Sequence, residues 1–228
     1  MPAWVVDLLN RLNSTFVVDG RWQWFVSGLG YTLLISLFSV LLGLVIGILM
    51  ALMRLSKSKI LRAVSGIYID IIRGTPTTVQ LLIMWSGILA TCKNSVLIAS
   101  LTFGINSGAY VAEIVRAGIL AVDKGQMEAG RSLGLNKFQT MRYIIIPQAF
   151  KSILPPLGNE FIVLIKETSI IGYIGMMDLT KGAMLIQSRT YNAFWPLMAA
   201  AAIYLVIVGI LTWGMNKLER RLRESDIR

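Results

Sequence analysis

Between Phe25 and Met53 the chain carries no charged side chain, and this run is longer than the roughly 20 residues a helix needs to cross a bilayer. In lipid the backbone has to satisfy its own hydrogen bonds, so the run is confined to a helix that tilts or protrudes where it outlasts the hydrocarbon. Phe194 to Met215 repeats the pattern behind an aromatic anchor, Phe194-Trp195-Pro196. With 55% hydrophobic and 15% charged residues over 228 positions, the chain is too apolar for an ordinary soluble domain. The expected class is an all-α integral membrane protein.

Three further segments have span length but hold polar residues. Ile60 to about Leu89 contains Asp70, Arg73, Gly74 and Pro76. A charge facing lipid at that depth costs about 3 kcal/mol, so Arg73 is expected to face protein or a wet cavity. Asp70 and Arg73, three apart, can pair on one helix face, and Pro76 after Gly74-Thr75 breaks the helix. This is either a structural kink or the wall of a translocation path. Val96 to Val122 carries Asn106, Ser107 and Gly108 near its middle, with Glu113 and Arg116 spaced to lock it by an ion pair. About Phe150 to Ile174 holds Pro155-Pro156, Gly158, Asn159, Glu160, Lys166 and Glu167, a composition for an interior helix rather than a lipid-facing one. Five spans result, at about 25–53, 60–89, 96–122, 150–174 and 194–215. Gly43 and Gly47, four apart, mark a close-packing face. Residues 1–24 form a lead-in: Asp7, Arg11, Asp19 and Arg21 break any signal-peptide run. Trp4, Val5, Leu8, Leu9 and Leu12 recur there at the spacing of an interfacial helix.

The net charge of +10 would raise nucleic-acid binding in a soluble protein. Here its distribution decides otherwise. Lys plus Arg number two before the first span, four after it, one after the second, six from Arg116 to Lys151, two from Gly175 to Ala193 and five in the tail 216–228. By the positive-inside rule this alternation places the N-terminus outside and the C-terminus in the cytoplasm, and it removes the nucleic-acid reading. A lone Cys92 and the absence of histidine exclude a Cys/His metal cluster and a histidine-based triad. No catalytic constellation is visible, and no GxxxxGK[ST] loop is present to hydrolyse a nucleotide.

One polar stretch, Gly125 to Pro147, interrupts the apolar pattern on the cytoplasmic side. Met127 to Leu133 has helix formers with Glu128 in the first turn and Arg131 later, Gly134 is a stop, and Asn136-Lys137 precede a second helix from Phe138. Glu128-Ala129-Gly130, then Gly134 after three residues, then Ile144-Ile145-Ile146-Pro147, resembles the EAA signature of ABC importer permeases, with Gly130 for the usual Ala and Ile146 for the usual Leu. Arg73-Gly74-Thr75-Pro76, Gly108-Ala109-Tyr110-Val111-Ala112-Glu113 and Leu157-Gly158-Asn159-Glu160-Phe161 extend the resemblance to the polar amino acid branch.

The resemblance implies a type I ABC importer permease fold with five transmembrane helices and a cytoplasmic coupling helix, in a bacterial cytoplasmic membrane. Glu128, Ala129, Gly130, Arg131, Gly134 and Pro147 would serve ATPase coupling, with no cofactor in this chain and ATP and Mg²⁺ bound by two copies of a partner ATPase. A second permease, identical or homologous, and an extracytoplasmic amino-acid-binding protein would complete the transporter within membrane lipid. For the solute path the candidates are Arg73, Asn106, Ser107, Asn159, Glu160 and Lys166, polar groups near mid-membrane. A stand-alone ion-coupled secondary transporter, with Asp70, Glu113 and Glu160 as coupling carboxylates, is the alternative, and it leaves the EAA stretch without a role.

Overall fold

The computed structural model describes residues 2–224, and helices are the only regular structure among them. Helix α1 (Ala3–Leu12) forms where the apolar spacing predicts one, with Asp7 and Arg11 paired at 2.9 Å across a turn. Trp4 and Leu9 remain exposed, so its apolar side is left uncovered by the rest of the chain. Helix α2 (Trp22–Arg54) is the first long apolar run.

The second expected span is two helices. Helix α3 (Lys59–Arg73), capped by the Ser58 side chain, stops at Gly74, and α4 (Thr77–Ile83) restarts after Pro76 and continues into a π-helical turn, Met84–Ile88. Proline removes an N–H donor and denies Thr75 the helical conformation, which is why the break falls here.

Helix α5 (Ser95–Leu120), capped by Asn94, is the central element: 67% of its most apolar stretch is buried, against 28% for α2. The two cross closely. A Cβ on Gly43 would stand 3.0 Å from Ser107 Cβ, and one on Gly47 would collide with Val111. The spaced glycines therefore serve packing within the chain.

Helices α6 (Lys124–Ser132) and α7 (Lys137–Thr140) and a π-helical turn, Met141–Ile145, lead into α8 (Ile146–Glu167), which has Pro147 in its first turn. Helix α8 keeps Pro155 and Pro156 inside it and ends in a tight 3-10 turn, Thr168–Ile174, closed by Gly175 at φ +86°.

Helix α9 (Leu179–Thr190) occupies what the sequence presents as a plain connection. The Asp178 carboxylate accepts the Lys181 and Thr180 N–H groups at 2.7 and 3.0 Å, while Leu179, Ala183 and Ile186 are buried with Phe25 and Ala200. Helix α10 (Phe194–Glu224) then runs without a break past Met215 into the basic segment. Arg228 lies outside the described residues.

Among the described residues three helices are long and apolar enough to cross a membrane: α2, α5 and the Phe194–Leu222 part of α10. Helix α8 misses that standard because of its prolines and its Asn, Glu and Lys residues, and the second expected span misses it because of its break.

Candidate functional site

At one end of the bundle α6 and α7 form a unit whose helix ends and connecting turn are hydrogen-bonded within it. Asp123 caps α6 by accepting the Gly125 N–H at 2.6 Å. The helix thus opens at Lys124, and Glu128 falls outside the first turn: the favourable interaction with the N-terminal dipole comes from Asp123 instead. At the other end the Leu135 N–H donates to Gly130 O and the Gly134 N–H to Arg131 O, both at 3.1 Å, with Gly134 at φ +85°. This is the Schellman closure that favours glycine. Arg131 Nη1 also donates to Leu135 O at 3.0 Å. Asn136 and Gln139 then form a reciprocal capping box for α7, with both bonds at 2.9 Å.

Gly130 is the one buried residue of α6, and a Cβ there would stand 2.6 Å from Thr140 Cγ2. That accounts for glycine where the resemblance leads one to expect alanine. Glu128, Ala129, Arg131, Gly134 and Pro147 are all exposed. So are two large apolar side chains, Leu133 at 81% and Phe138 at 71%.

Deeper in the bundle the polar candidates separate into groups. Asn106, 2% exposed, donates from Nδ2 to Gln80 Oε1 at 3.0 Å. Gln80 in turn donates from Nε2 to Ile72 O at 2.8 Å and Thr75 O at 3.1 Å, the carbonyls freed by the break before Pro76. Gln80, which no motif in the sequence singles out, therefore ties the broken segment to α5 and satisfies carbonyls that the break leaves free.

Arg73 does not pair with Asp70: its guanidinium lies 5.3 Å from the centre of the Tyr110 ring, a cation–π arrangement. Both Arg73 and Asp70 are exposed in this chain, so the enclosure expected around Arg73 is not supplied by the chain's own helices. Glu113 and Arg116 do form the expected pair, at 2.7 Å. Glu160 is buried, with Ser107 of α5 as a polar neighbour, and the Ser107 hydroxyl is itself buried without a partner in hydrogen-bond geometry among the described residues. Ser107 and Tyr110 are three apart on α5, so Glu160 and Arg73 address successive turns of one helix face. They make no ion pair with each other among the described residues. Asn159 and Lys166 are exposed and lie on a different side of α8 from Glu160.

Long apolar helices whose apolar side chains stay exposed, crossing over buried Asn106 and Glu160, define an integral membrane protein. More particularly, residues 43–224 match the family described as binding-protein-dependent transport system inner membrane component, and the chain belongs to that family. It is 45% identical over 200 residues to a putative glutamine transport system permease protein of Rickettsia bellii, covering 86% of this chain and 92% of the relative. It is 39% identical over 204 residues to the arginine transport system permease protein of Bacillus subtilis, covering 88% and 93%. A solved amino acid ABC transporter, crystallised with histidines, contains a chain that superposes with a TM-score of 0.83 at 47% identity, covering 87% of this chain and 94% of that one.

Proposed function

We propose that this chain is the permease subunit of an ATP-driven importer of polar amino acids. The observation that carries the proposal is the α6–α7 unit. Its helix ends and turn are closed by hydrogen bonds within the unit, which holds its shape, yet it presents Leu133 and Phe138 to its surroundings at 81% and 71% exposure. A rigid surface with exposed apolar groups suits docking to a partner that moves as a body. The chain has no phosphate-binding loop of its own, so ATP and Mg²⁺ belong to a separate ATPase, present in two copies.

In this reading α6 is the coupling helix. Glu128 and Arg131 are its polar anchors, Ala129 permits close approach, Gly130 and Gly134 fix its shape, and Pro147 starts α8 so that displacement of α6 reaches the spans. Closure of the two ATPase subunits would drag the coupling helices and switch the path between inward and outward access. The chain crosses the bacterial cytoplasmic membrane five times, with α3–α4 and α8 completing the three apolar helices. The N-terminus lies outside and the C-terminus in the cytoplasm, a topology supported by the alternating Lys and Arg counts. A second permease, identical or homologous, and an extracytoplasmic amino-acid-binding protein complete the assembly.

The solute is a zwitterion and needs partners of both signs. Glu160 beside Ser107 would take the ammonium and Arg73 beside Tyr110 the carboxylate, with Asn106 at the joint between α5 and the broken segment. Asn159 and Lys166, on the exposed side of α8, would contribute from the seam with the second permease. The glutamine and arginine relatives and the structure with histidines support polar amino acids as the class.

The test is co-purification of the tagged chain from its host membranes in mild detergent, beside a Glu128→Lys variant. Wild type should retain an ATPase bearing a Walker loop. The variant should insert at normal level but lose most of that ATPase and, with it, ATP-dependent uptake. Retention of the ATPase and of transport by Glu128→Lys would remove α6 from the coupling role.

A further inference from the structure

One face of α10 changes character along its length in the order that a lipid molecule does. Val206, Ile210, Trp213, Lys217 and Arg220 recur at i, i+4, i+7, i+11 and i+14, so they lie on one side of the helix. The first three are 59%, 63% and 67% exposed, and only 11% of the most apolar stretch of α10 is buried. Among the described residues nothing covers that surface, and its apolar composition suits hydrocarbon. Beyond it Trp213, Asn216, Lys217, Arg220 and Arg221, all of α10, line an open surface groove of about 420 Å³, with Lys217 Nζ 5.3 Å from the Trp213 ring centre. Glu219, the acid within this stretch, is not part of the lining.

The packing fixes where along the bundle this groove lies. Helix α10 starts beside the beginning of α2, where Ala200 meets Phe25, and heads for the end where α2 finishes at Arg54. On the way Met215 packs against Gly158 of α8. Ile153, further along α8 in the same direction, packs against Gly118 and in the cluster with Ala51, close to the ends of α5 and α2. Five residues from the Met215–Gly158 contact, about 7.5 Å along either helix, Arg220 is level with Ile153. The arginines thus stand level with the ends of α2 and α5.

We propose that this face of α10 binds an anionic phospholipid. Its acyl chain lies along Val206 and Ile210, its glycerol region against the Trp213 indole, and its phosphate and anionic headgroup on Lys217, Arg220 and Arg221. Guanidinium groups match phosphate oxygens in a bidentate manner, and a tryptophan at the boundary suits the interface between tail and headgroup. An acidic protein surface is the competing partner for the cations, but it would leave the continuous apolar face above them without an occupant. The leaflet is the cytoplasmic one on the topology proposed above. The lipid site itself does not depend on what the protein transports.

The experiment uses the full chain in detergent, with native mass spectrometry of retained lipid after competition between phosphatidylglycerol and phosphatidylcholine. Bromine-labelled versions of both lipids provide a second reading, through the part of the tryptophan fluorescence lost in Trp213→Phe. Wild type should hold phosphatidylglycerol at least tenfold over phosphatidylcholine, since a juxtamembrane Lys or Arg favours anionic lipid by roughly fivefold each before screening. A Lys217→Gln, Arg220→Gln, Arg221→Gln variant should lose that preference. Arg220→Lys with Arg221→Lys, which keeps the charge that sets topology, should weaken it severalfold. Equal retention of both lipids by wild type overturns the proposal. So does an unchanged preference in the neutralised variant or, where that variant fails to insert, in the lysine variant. Loss of a co-purifying protein with lipid preference intact would make the cations a protein interface and also overturn it.

Discussion

Gly130 shows how one atom sets the shape of the segment assigned to coupling. A Cβ would stand 2.6 Å from Thr140 Cγ2 and 3.0 Å from Ile144 Cδ1, while the Gly130 carbonyl accepts the Leu135 N–H that closes the helix. Gly130→Ala should therefore destabilise the chain by about 1–3 kcal/mol through overpacking, despite alanine's better helix propensity. Adding Thr140→Ser removes the methyl in the way and keeps the hydroxyl that bonds Asn136 O, so the double variant should recover most of the loss. Thermal unfolding in detergent reads both, and a stable Gly130→Ala single variant would mean that Thr140 yields freely. The substitution of glycine for alanine was legible in the sequence, but its reason was not. Thr140 is ten residues away, and only the turn through Gly134 and Asn136 brings it back.

The break between α3 and α4 was legible as an element, since Gly74-Thr75-Pro76 cannot continue a helix. What holds it was hidden, because the partners come from beyond the break and from α5. Gln80 spans the gap, donating to Ile72 O and Thr75 O and accepting from Asn106. Gln80→Leu should leave a buried amide and two carbonyls without their partner and lower stability by about 1–3 kcal/mol, with faster proteolysis at the break. Gln80→Glu, which keeps an acceptor for Asn106 but loses the donor, should fall between. A melting midpoint equal to wild type in Gln80→Leu would show that the break is held by other contacts. The Asp70–Arg73 pair failed as an expectation because i, i+3 spacing allows contact without requiring it, and the Tyr110 ring offered the guanidinium a partner on the neighbouring helix.

At the scale of the whole molecule, Glu160 is the residue whose burial in one chain most needs an explanation: it is 9% exposed, and the hydroxyl of Ser107 beside it has no hydrogen-bond partner among the described residues. In the reconstituted transporter, Glu160→Gln should change substrate affinity or selectivity about tenfold or more by removing a charge-assisted contact, with complex assembly and ATPase binding intact. Measured uptake with several amino acids, beside size-exclusion of the complex, separates this from a structural role, in which assembly would fail instead. Sequence by itself determined the all-helical membrane class, the charge alternation and the helix–glycine–helix segment. Those follow from local composition and spacing, and a bilayer leaves the backbone little choice. The tertiary structure decided which spans stay whole and which glycines are packing surfaces. It also showed that α9 forms at all and which polar groups meet. These depend on side chains far apart in the chain, such as Gly43 with Ser107, Gln80 with Asn106 and Leu179 with Phe25, whose proximity exists only once the helices have packed.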